Sequence, residues 1–441
     1  MNLIKKWCLA NLTLFVLLLP YYGNSAPQFG PRTEAEVEAK KNQKTTKSYS
    51  KPKYTYTGPK LDIVIPIFDP GLPADEKKWE ESGIWPELRR AESVRVAIKI
   101  RESIKDLGIF GNVVVSPDGS ASGDLYVIGK IVDSNGEDLR LSIEVFDTTG
   151  KTWVKKKTVK HRVPGYWHED PRNKGLDPFE SVYTGVADLI VKALTIQGKK
   201  HDKIEKRNEK YRATGKESKV KITDLQKLNY IKELLFARSM SPETYGDSVV
   251  DKRGRLSLAY LPAMDDSNWS RILSVRAVDS KVASLIGGNY DNLVEEMNGP
   301  YAIWQKDAYP LAKEYREAKQ AANAAAVIGI IGALAGAAAA ANSGSSAGKN
   351  AGIAAMAASA ALLAKSFKDR EESKEQASQL DELGASVQGI LAPKVIAMEN
   401  KEVLLTGTAS EQLKQWRTLL LELYADTQID VDAIDIVSQK S

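Results

Sequence analysis

The stretch Asp124–Trp153, DLYVIGKIVDSNGEDLRLSIEVFDTTGKTW, decides the fold class. Its second half alternates cleanly, with Leu139, Leu141, Ile143 and Val145 on one face, as a half-buried β-strand requires. DLYVIGKIV (124–132) carries apolar residues on both faces and reads as a central strand. Between the two lies Ser134-Asn135-Gly136, and Asn-Gly tolerates the positive backbone angles of a tight hairpin. A second turn, Thr148-Thr149-Gly150-Lys151, leads into TWVKKKTVKHRV (152–163). This third strand holds Trp153 and many lysines, so one of its faces must meet water.

Working outward, LDIVIPIF (Leu61–Phe68) is a short apolar run that fits a buried strand, with Pro66 favouring a bend or an edge. A helix is expected from Glu87 to Leu107, its apolar positions Leu88, Ala91, Val94, Ile98, Ile104 and Leu107 recurring at helical spacing. NVVV (112–115) is the next strand, stopped by Ser116-Pro117-Asp118-Gly119. A closing helix from Asp177 to Thr195 turns Val182, Val186, Leu189 and Ala193 inward. The order strand, helix, four strands, helix predicts a mixed sheet with helices packed on it. The chain is therefore read as α+β, with an α/β interaction domain over residues 60–197 followed by a mainly helical region.

DLYVIGKI followed by LSIEVFDTTGKTW resembles the recurrent core of a bacterial periplasmic α/β domain. That domain is shared by the amino-terminal domain of TolB, the outer-membrane activators of penicillin-binding proteins, and the curli secretion channel family. The resemblance covers about residues 60–197. It implies an envelope protein that acts through protein contacts or oligomerisation rather than catalysis. The chain departs from these relatives in lacking a lipid-anchor cysteine and the amphipathic β-hairpins of the curli channel, so no functional residue carries over.

The amino terminus agrees with an envelope destination. MNLIKKWCLANLTLFVLLLPYYGNSA has Lys5 and Lys6, an apolar core over 9–19 and small residues after it, the layout of a secretory signal peptide over residues 1–25 with cleavage after Ser25. The alternative is an uncleaved anchor, for which the run is short beside the ~20 residues of a bilayer span. Cys8 is the one cysteine and precedes the apolar core, which argues against lipidation. A mature chain without cysteine has no disulfide, thiol nucleophile or cysteine metal ligand. Residues 26–59 are polar, basic and proline-punctuated, and read as a disordered leader. A net charge of +5 spread over 441 residues gives no concentrated basic element for reading nucleic acid.

Residues 198–299 turn helical and charged. The basic stretch 199–221 reads as a solvated helix and linker, and Leu225, Leu228, Ile231, Leu234 and Leu235 mark a core-facing helix. Leu256–Met264 is expected to be irregular, and a helix over Asn268–Asn298 to be interrupted at Gly287-Gly288. Pro300 suits a helix start, and Pro310 should kink or split the helix that begins there.

The second unusual stretch is AANAAAVIGIIGALAGAAAAANSGSSAGKNAGIAAMAASAALLAK (321–365). It predicts a long helical hairpin over 300–398 with an apolar tip: one arm from Pro300 to Asn342, a polar loop, and a return arm from Asn350 to Leu391, each about 40 residues or ~60 Å. Gly329, Gly332 and Gly336 on the first arm, with Gly352, Ala355 and Ser359 on the second, form faces that let helix backbones approach closely, as in lipid. Ile328, Ile331, Leu334 and Leu362 supply apolar bulk. The first arm has 22 uncharged residues and the second 15, so insertion into a bilayer is expected to be marginal. The expected partners are a lipid bilayer through residues 321–365, other envelope proteins, or a second copy of the chain. The expected location is the periplasm, associated with the outer membrane. The alternative is a wholly soluble periplasmic binding module whose hairpin packs on itself or on a partner. Residues 399–441 are read as a helix from Val403 onward plus a tail, with Thr408 and Glu411 as a capping box and Leu413, Trp416, Leu420 and either Leu423 or Tyr424 as its apolar stripe.

No catalytic, cofactor or metal site is predicted. His161, His168 and His201 lack the spacing of a zinc protease, although His168-Glu169-Asp170 forms a local polar cluster beside Trp167. Gly344-Ser345-Ser346-Ala347-Gly348 matches a nucleophile elbow in letters only, since a helix and not a strand precedes it. Asp62, Asp69 and Asp75 are expected to cap or line a loop near the first strand.

Overall fold

A computed structural model describes residues 55–263, 266–336, 368, 373–387, 389, 394–398, 401–425 and 435–438. The chain is α+β. Its centre is a five-stranded mixed sheet in the order β2-β1-β3-β4-β5, formed by β1 (Ile63–Pro66), β2 (Val113–Ser116), β3 (Leu125–Ser134), β4 (Asp138–Asp147) and β5 (Thr152–Arg162). β1 runs parallel to β2 and β3, and helix α1 (Pro86–Lys105) makes the β1-to-β2 crossover. β3, β4 and β5 are joined by antiparallel hairpins.

The hairpin stretch folds as its letters dictate. Asn135 Oδ1 accepts the backbone N–H groups of Glu137 and Asp138 at 3.1 and 2.8 Å, and Gly136 takes φ +85°. At the next turn Asp147 Oδ1 accepts from Thr149 N and Lys151 N, while Oδ2 accepts from Trp153 Nε1 at 2.7 Å. Asp147 thereby ties together the Thr-Gly-x-x-Trp signature by local bonding. Leu139, Leu141, Ile143 and Val145 are fully buried, as expected. β3 is central but not covered on both faces: Ile128 and Val132 are exposed opposite the helix-covered face. β5 is an edge strand, and its lysines lie in water.

Beyond the sheet come α2 (Glu180–Ala213), α3 (Asp224–Met240), a small hairpin of β6 (Val249–Asp251) and β7 (Leu256–Leu258), and α4 (Ser267–Gly336). α2 runs 34 residues, through what was expected to be a solvated bridge. The bridge is pinned because buried His201 bonds Thr223 Oγ1 at 2.8 Å, and buried Asn208 holds Lys221 through both its N–H and its C=O. Thr223 and Gln226 form a capping box that starts α3. Leu256, expected in irregular structure, pairs with Asp251 because the Arg253-Gly254 turn brings β6 and β7 together.

α4 differs from expectation: it is not interrupted at Gly287-Gly288, does not begin at Pro300 and is not split at Pro310, and it runs for 70 residues or about 105 Å along its path. The reason is a buried stripe at three- and four-residue intervals: Ile286, Tyr290, Val294, Met297, Tyr301, Trp304, Ala308 and Ala312. Pro310 is exposed and Pro300 only half-buried, so both rings stand off that stripe and packing offsets their cost of about 3 kcal/mol each. Gly287 packs against the Val115 carbonyl of β2, where a side chain would not fit. Residues from the sheet and from all the long helices contribute to one hydrophobic core.

The return arm also differs. α5 (Lys374–Ser386) lies against α1, with Trp85 Nε1 donating to Asp381 Oδ1 at 2.5 Å and Gly384 against the Glu87 backbone. Lys368 forms an ion pair with Asp381 at 2.9 Å. A single helix from Asn350 to Leu391 would hold those two residues about 20 Å apart, so the expected arm breaks before Lys374. A three-stranded sheet comes next, β8 (Lys394–Met398) lying between β9 (Lys401–Leu405) and β10 (Asp435–Ser438). The helix expected from Val403 therefore begins later, as α6 (Ala409–Ala425), because Val403–Leu405 pairs with β8. Its capping box forms as expected, Thr408 N donating to Glu411 Oε2 at 2.7 Å and Glu411 N to Thr408 Oγ1 at 3.3 Å. Leu413, Trp416, Leu420 and Leu423 are buried, and Trp416 Nε1 donates to Asp279 of α4 at 3.1 Å.

Candidate functional site

The polar interior of the protein is organised by α1. Arg95 lies on a turn that faces both α2 and α4 and is nearly fully buried. Its guanidinium pairs with Asp177 at 2.8 Å, donates to Tyr183 Oη at 3.0 Å and to Asn298 Oδ1 at 3.4 Å, and stacks on the Tyr301 ring at 4.5 Å. One turn before it, Glu92 accepts hydrogen bonds from Ser134 Oγ at 2.6 Å and Tyr301 Oη at 2.8 Å, and pairs with Arg89 at 3.3 Å. Burial pushes the Glu92 carboxyl up, against the opposing pull of Arg89. Tyr183 and Tyr301 are pushed up by burial, so both hydroxyls stay protonated donors or acceptors. The network fastens α1, α2, α4 and the β3–β4 hairpin to each other.

Above Arg95 opens a cleft of about 1050 Å³. One wall is the 167–178 segment, which contains the His168-Glu169-Asp170 cluster; the other is α4 from Asn298 to Lys306. The segment is braced internally: Asp170 pairs with Arg172 at 2.6 Å, Asn173 Nδ2 donates to Trp167 O at 3.1 Å, and Asp177 Oδ1 accepts from Phe179 N at 2.9 Å. His168 packs its ring against Tyr309 at 5.2 Å. Burial, with nearby Lys306, pushes its pKa down, so the ring is neutral at pH 7. Glu180 at the rim is pushed up by burial and by Asp177.

A second polar cluster joins the sheet to α3. Lys232 is buried and pairs with Asp62 at 2.6 Å, Glu233 at 3.1 Å and Asp124 at 3.2 Å. Asp124 is fully buried and also accepts from Asp62 N at 2.7 Å. Burial pushes its carboxyl up to about 6 against the pull of Lys232. Asp62 additionally accepts from Asn112 N at 2.8 Å, and Asp69 Oδ1 from Gly71 N at 2.7 Å, so both brace loops as expected.

Of the residues singled out for the hairpin, Ile328, Gly329, Ile331, Gly332, Leu334 and Gly336 lie on the last turns of α4. Gly352, Ala355, Ser359 and Leu362 lie outside the described residues, as does the 344–348 motif. Among the described residues no helix is long and apolar enough to cross a membrane, and no group of His, Cys, Asp or Glu is placed to hold a metal ion. The cleft itself was missed by sequence reasoning. Gln305 and Lys306 sit about 140 positions from His168, and only the tertiary fold brings them together.

No family model, no curated protein and no solved structure matches the chain.

Proposed function

We propose that this is a non-enzymatic bacterial envelope protein with a structural or assembly role. In this reading the α/β portion holds protein partners, and residues 321–365 form an element that associates with a membrane or with further copies of the chain. The observation that carries it is the continuity of α4. The same helix that contributes Trp269 through Ala312 to the central core runs on to Gly336, into the Ala/Gly-rich stretch. A load on that stretch is therefore transmitted directly to the sheet, as an anchor or assembly element needs. The amino-terminal signal-like segment and the Gly329/Gly332/Gly336 spacing support the same reading.

The test is fractionation of the full-length protein beside a deletion of residues 321–365, by carbonate and then detergent extraction. The expected result is that the full-length chain needs detergent and the deletion does not. Release of both without detergent contradicts membrane association, and points to a hairpin packed on itself or on a protein.

A further inference from the structure

The +5 net charge of the chain conceals one concentrated patch. Residues 199–221 carry ten Lys or Arg and four Asp or Glu, a surplus of six where the full chain has a surplus of five. The first part of that stretch is the last third of α2, which ends at Ala213. At about 100° per residue, Lys192, Lys199, Lys203, Lys206 and Lys210 fall within about 60° of one another, a row about 27 Å long. Lys200 and Arg207 flank the row, and Ile196, 58 % exposed, stands inside it. All seven cations are exposed, and no carboxylate interrupts this arc of the helix between 192 and 210. Ile190, Leu194, His201 and Asn208 are buried on the opposite face.

The acids of this part of α2 are turned aside and engaged elsewhere. Asp202 accepts from Thr57 Oγ1 at 3.1 Å, and Glu205 pairs with Arg212 at 3.6 Å. Among the described residues no carboxylate lies within ion-pair distance of the seven cations of the arc. Like charges four residues apart weaken a helix, so this row works against the element that carries it. The helix is held all the same, because His201 bonds Thr223 and Asn208 bonds Lys221 on the buried side. Packing thus keeps a self-repelling row straight. β5 extends the patch: Lys151 Nζ donates to Gln197 Oε1 at 3.3 Å, which sets the start of the strand beside the row, and exposed Lys155, Lys156 and Lys157 follow.

We propose that the lysine row of α2 is a docking surface for the headgroups of an anionic lipid bilayer. The charges are complementary, and a straight row on the convex back of a helix meets a flat surface along its whole length. Six of the seven cations are lysine, a point charge on a flexible stem that suits fluid headgroups better than fixed bidentate recognition. Ile196 stands where an apolar side chain would enter the headgroup layer. A nucleic-acid strand is the less fitting occupant, since the arc holds one arginine and no aromatic side chain on which a base could stack. The proposal stands independently of the role of residues 321–365.

The experiment is co-sedimentation of the full chain with vesicles of phosphatidylcholine alone and of phosphatidylcholine with about one third phosphatidylglycerol, at about 0.05 M and about 0.5 M sodium chloride. At low salt the chain should bind the anionic vesicles at least about tenfold more tightly than the neutral ones, and high salt should remove the difference. Insertion of residues 321–365 gives a different result, binding to both vesicles that survives high salt. Lys199→Gln, Lys203→Gln, Lys206→Gln and Lys210→Gln together should lower affinity for the anionic vesicles at least about tenfold, with an unchanged circular dichroism spectrum. A control that removes equal charge at other exposed positions, Lys77→Gln, Lys78→Gln, Lys252→Gln and Lys281→Gln, should keep most of it. Fluorescence anisotropy with a DNA duplex of about 20 base pairs, at the same low salt, tests the rival occupant. The proposal is overturned if the anionic vesicles are not preferred, if the preference survives high salt, if the row variant keeps full affinity or the control falls as far, or if the duplex binds more tightly per phosphate than the vesicles do.

Discussion

Replacing Lys232 by methionine should unfold the joint between the sheet and α3 in a pH-dependent way. Among the described residues the ammonium is the one cation within ion-pair distance of Asp124, and it also meets Asp62 and Glu233. Asp62 and Glu233 keep 29 % and 17 % of their side-chain surface in water, so solvent relieves much of their loss. Asp124 has none. Breaking a buried pair by removing one partner costs about 3–5 kcal/mol; with a single fully buried carboxylate left bare, about 3 kcal/mol is expected at pH 8. For a chain of this size, with a urea dependence of about 3 kcal/mol per molar, the midpoint should fall by about 1 M. The sign of the pH effect comes from Asp124, whose native pKa of about 6 exceeds its unfolded value. The native state binds that proton more tightly, so this group's stabilising contribution is fully present below about pH 4 and is lost as pH rises through 6. Without Lys232 the carboxyl rises further, and protonation at pH 5 should recover about half of the loss. Lys232→Met combined with Asp124→Asn should recover a similar share at pH 8, since the amide oxygen can still accept from Asp62 N. Urea titrations followed by tryptophan fluorescence at pH 5 and pH 8 decide the matter. A midpoint shift below about 0.3 M at pH 8, or an equal shift at both pH values, would refute the reasoning.

Three further outcomes rest on single contacts. Gly129→Ala should destabilise by about 1–3 kcal/mol, because the Phe68 ring occupies the space a methyl group needs; thermal melting reads it. Pro310→Ala should raise the melting temperature without loss of helical circular dichroism, since Pro310 is exposed inside a continuous helix and its replacement regains a backbone bond; a fall would mean the ring is required by a bend. Trp153→Phe should cost about 1 kcal/mol, and Asp147→Ala more, because Asp147 also holds the turn at Thr149 and Lys151; urea midpoints rank the two.

The β3–β4–β5 meander was legible because its signals are local: alternation with period two, Asn-Gly, and a Thr-Gly turn whose bonds all fall within seven residues. The α6 cap was legible for the same reason, both of its bonds spanning three residues. What failed was inference from a local rule that tertiary packing overrides. Two prolines and a Gly-Gly pair predicted breaks in α4, but a buried stripe extending on both sides of them holds the helix together. The return arm failed because Trp85, nearly 300 positions away, draws Asp381 and Lys368 to one place. The end of β9 was absorbed into the helix expected from Val403, and β8 went unassigned beyond the return arm, because short apolar runs such as Val403–Leu405 carry no period of their own. His168 was visible as a cluster with its neighbours, but nothing near it in the chain announces Gln305 or Lys306. Arg95 in the middle of an amphipathic helix likewise gives no sign of Asp177, Tyr183 and Tyr301 around it.

The central claim is that residues 321–365 serve as a membrane or assembly element rigidly joined to the sheet through α4. The most direct measurement places a cysteine at Ile331 in the chain lacking residues 1–25, which has no other cysteine, attaches an environment-sensitive dye, and adds vesicles of phosphatidylethanolamine and phosphatidylglycerol. The account predicts a blue shift with vesicles, or without them a shift that grows with protein concentration as copies associate, and loss of either when Gly332 and Gly336 are both replaced by leucine. An emission spectrum that ignores vesicles, protein concentration and the double substitution would contradict it.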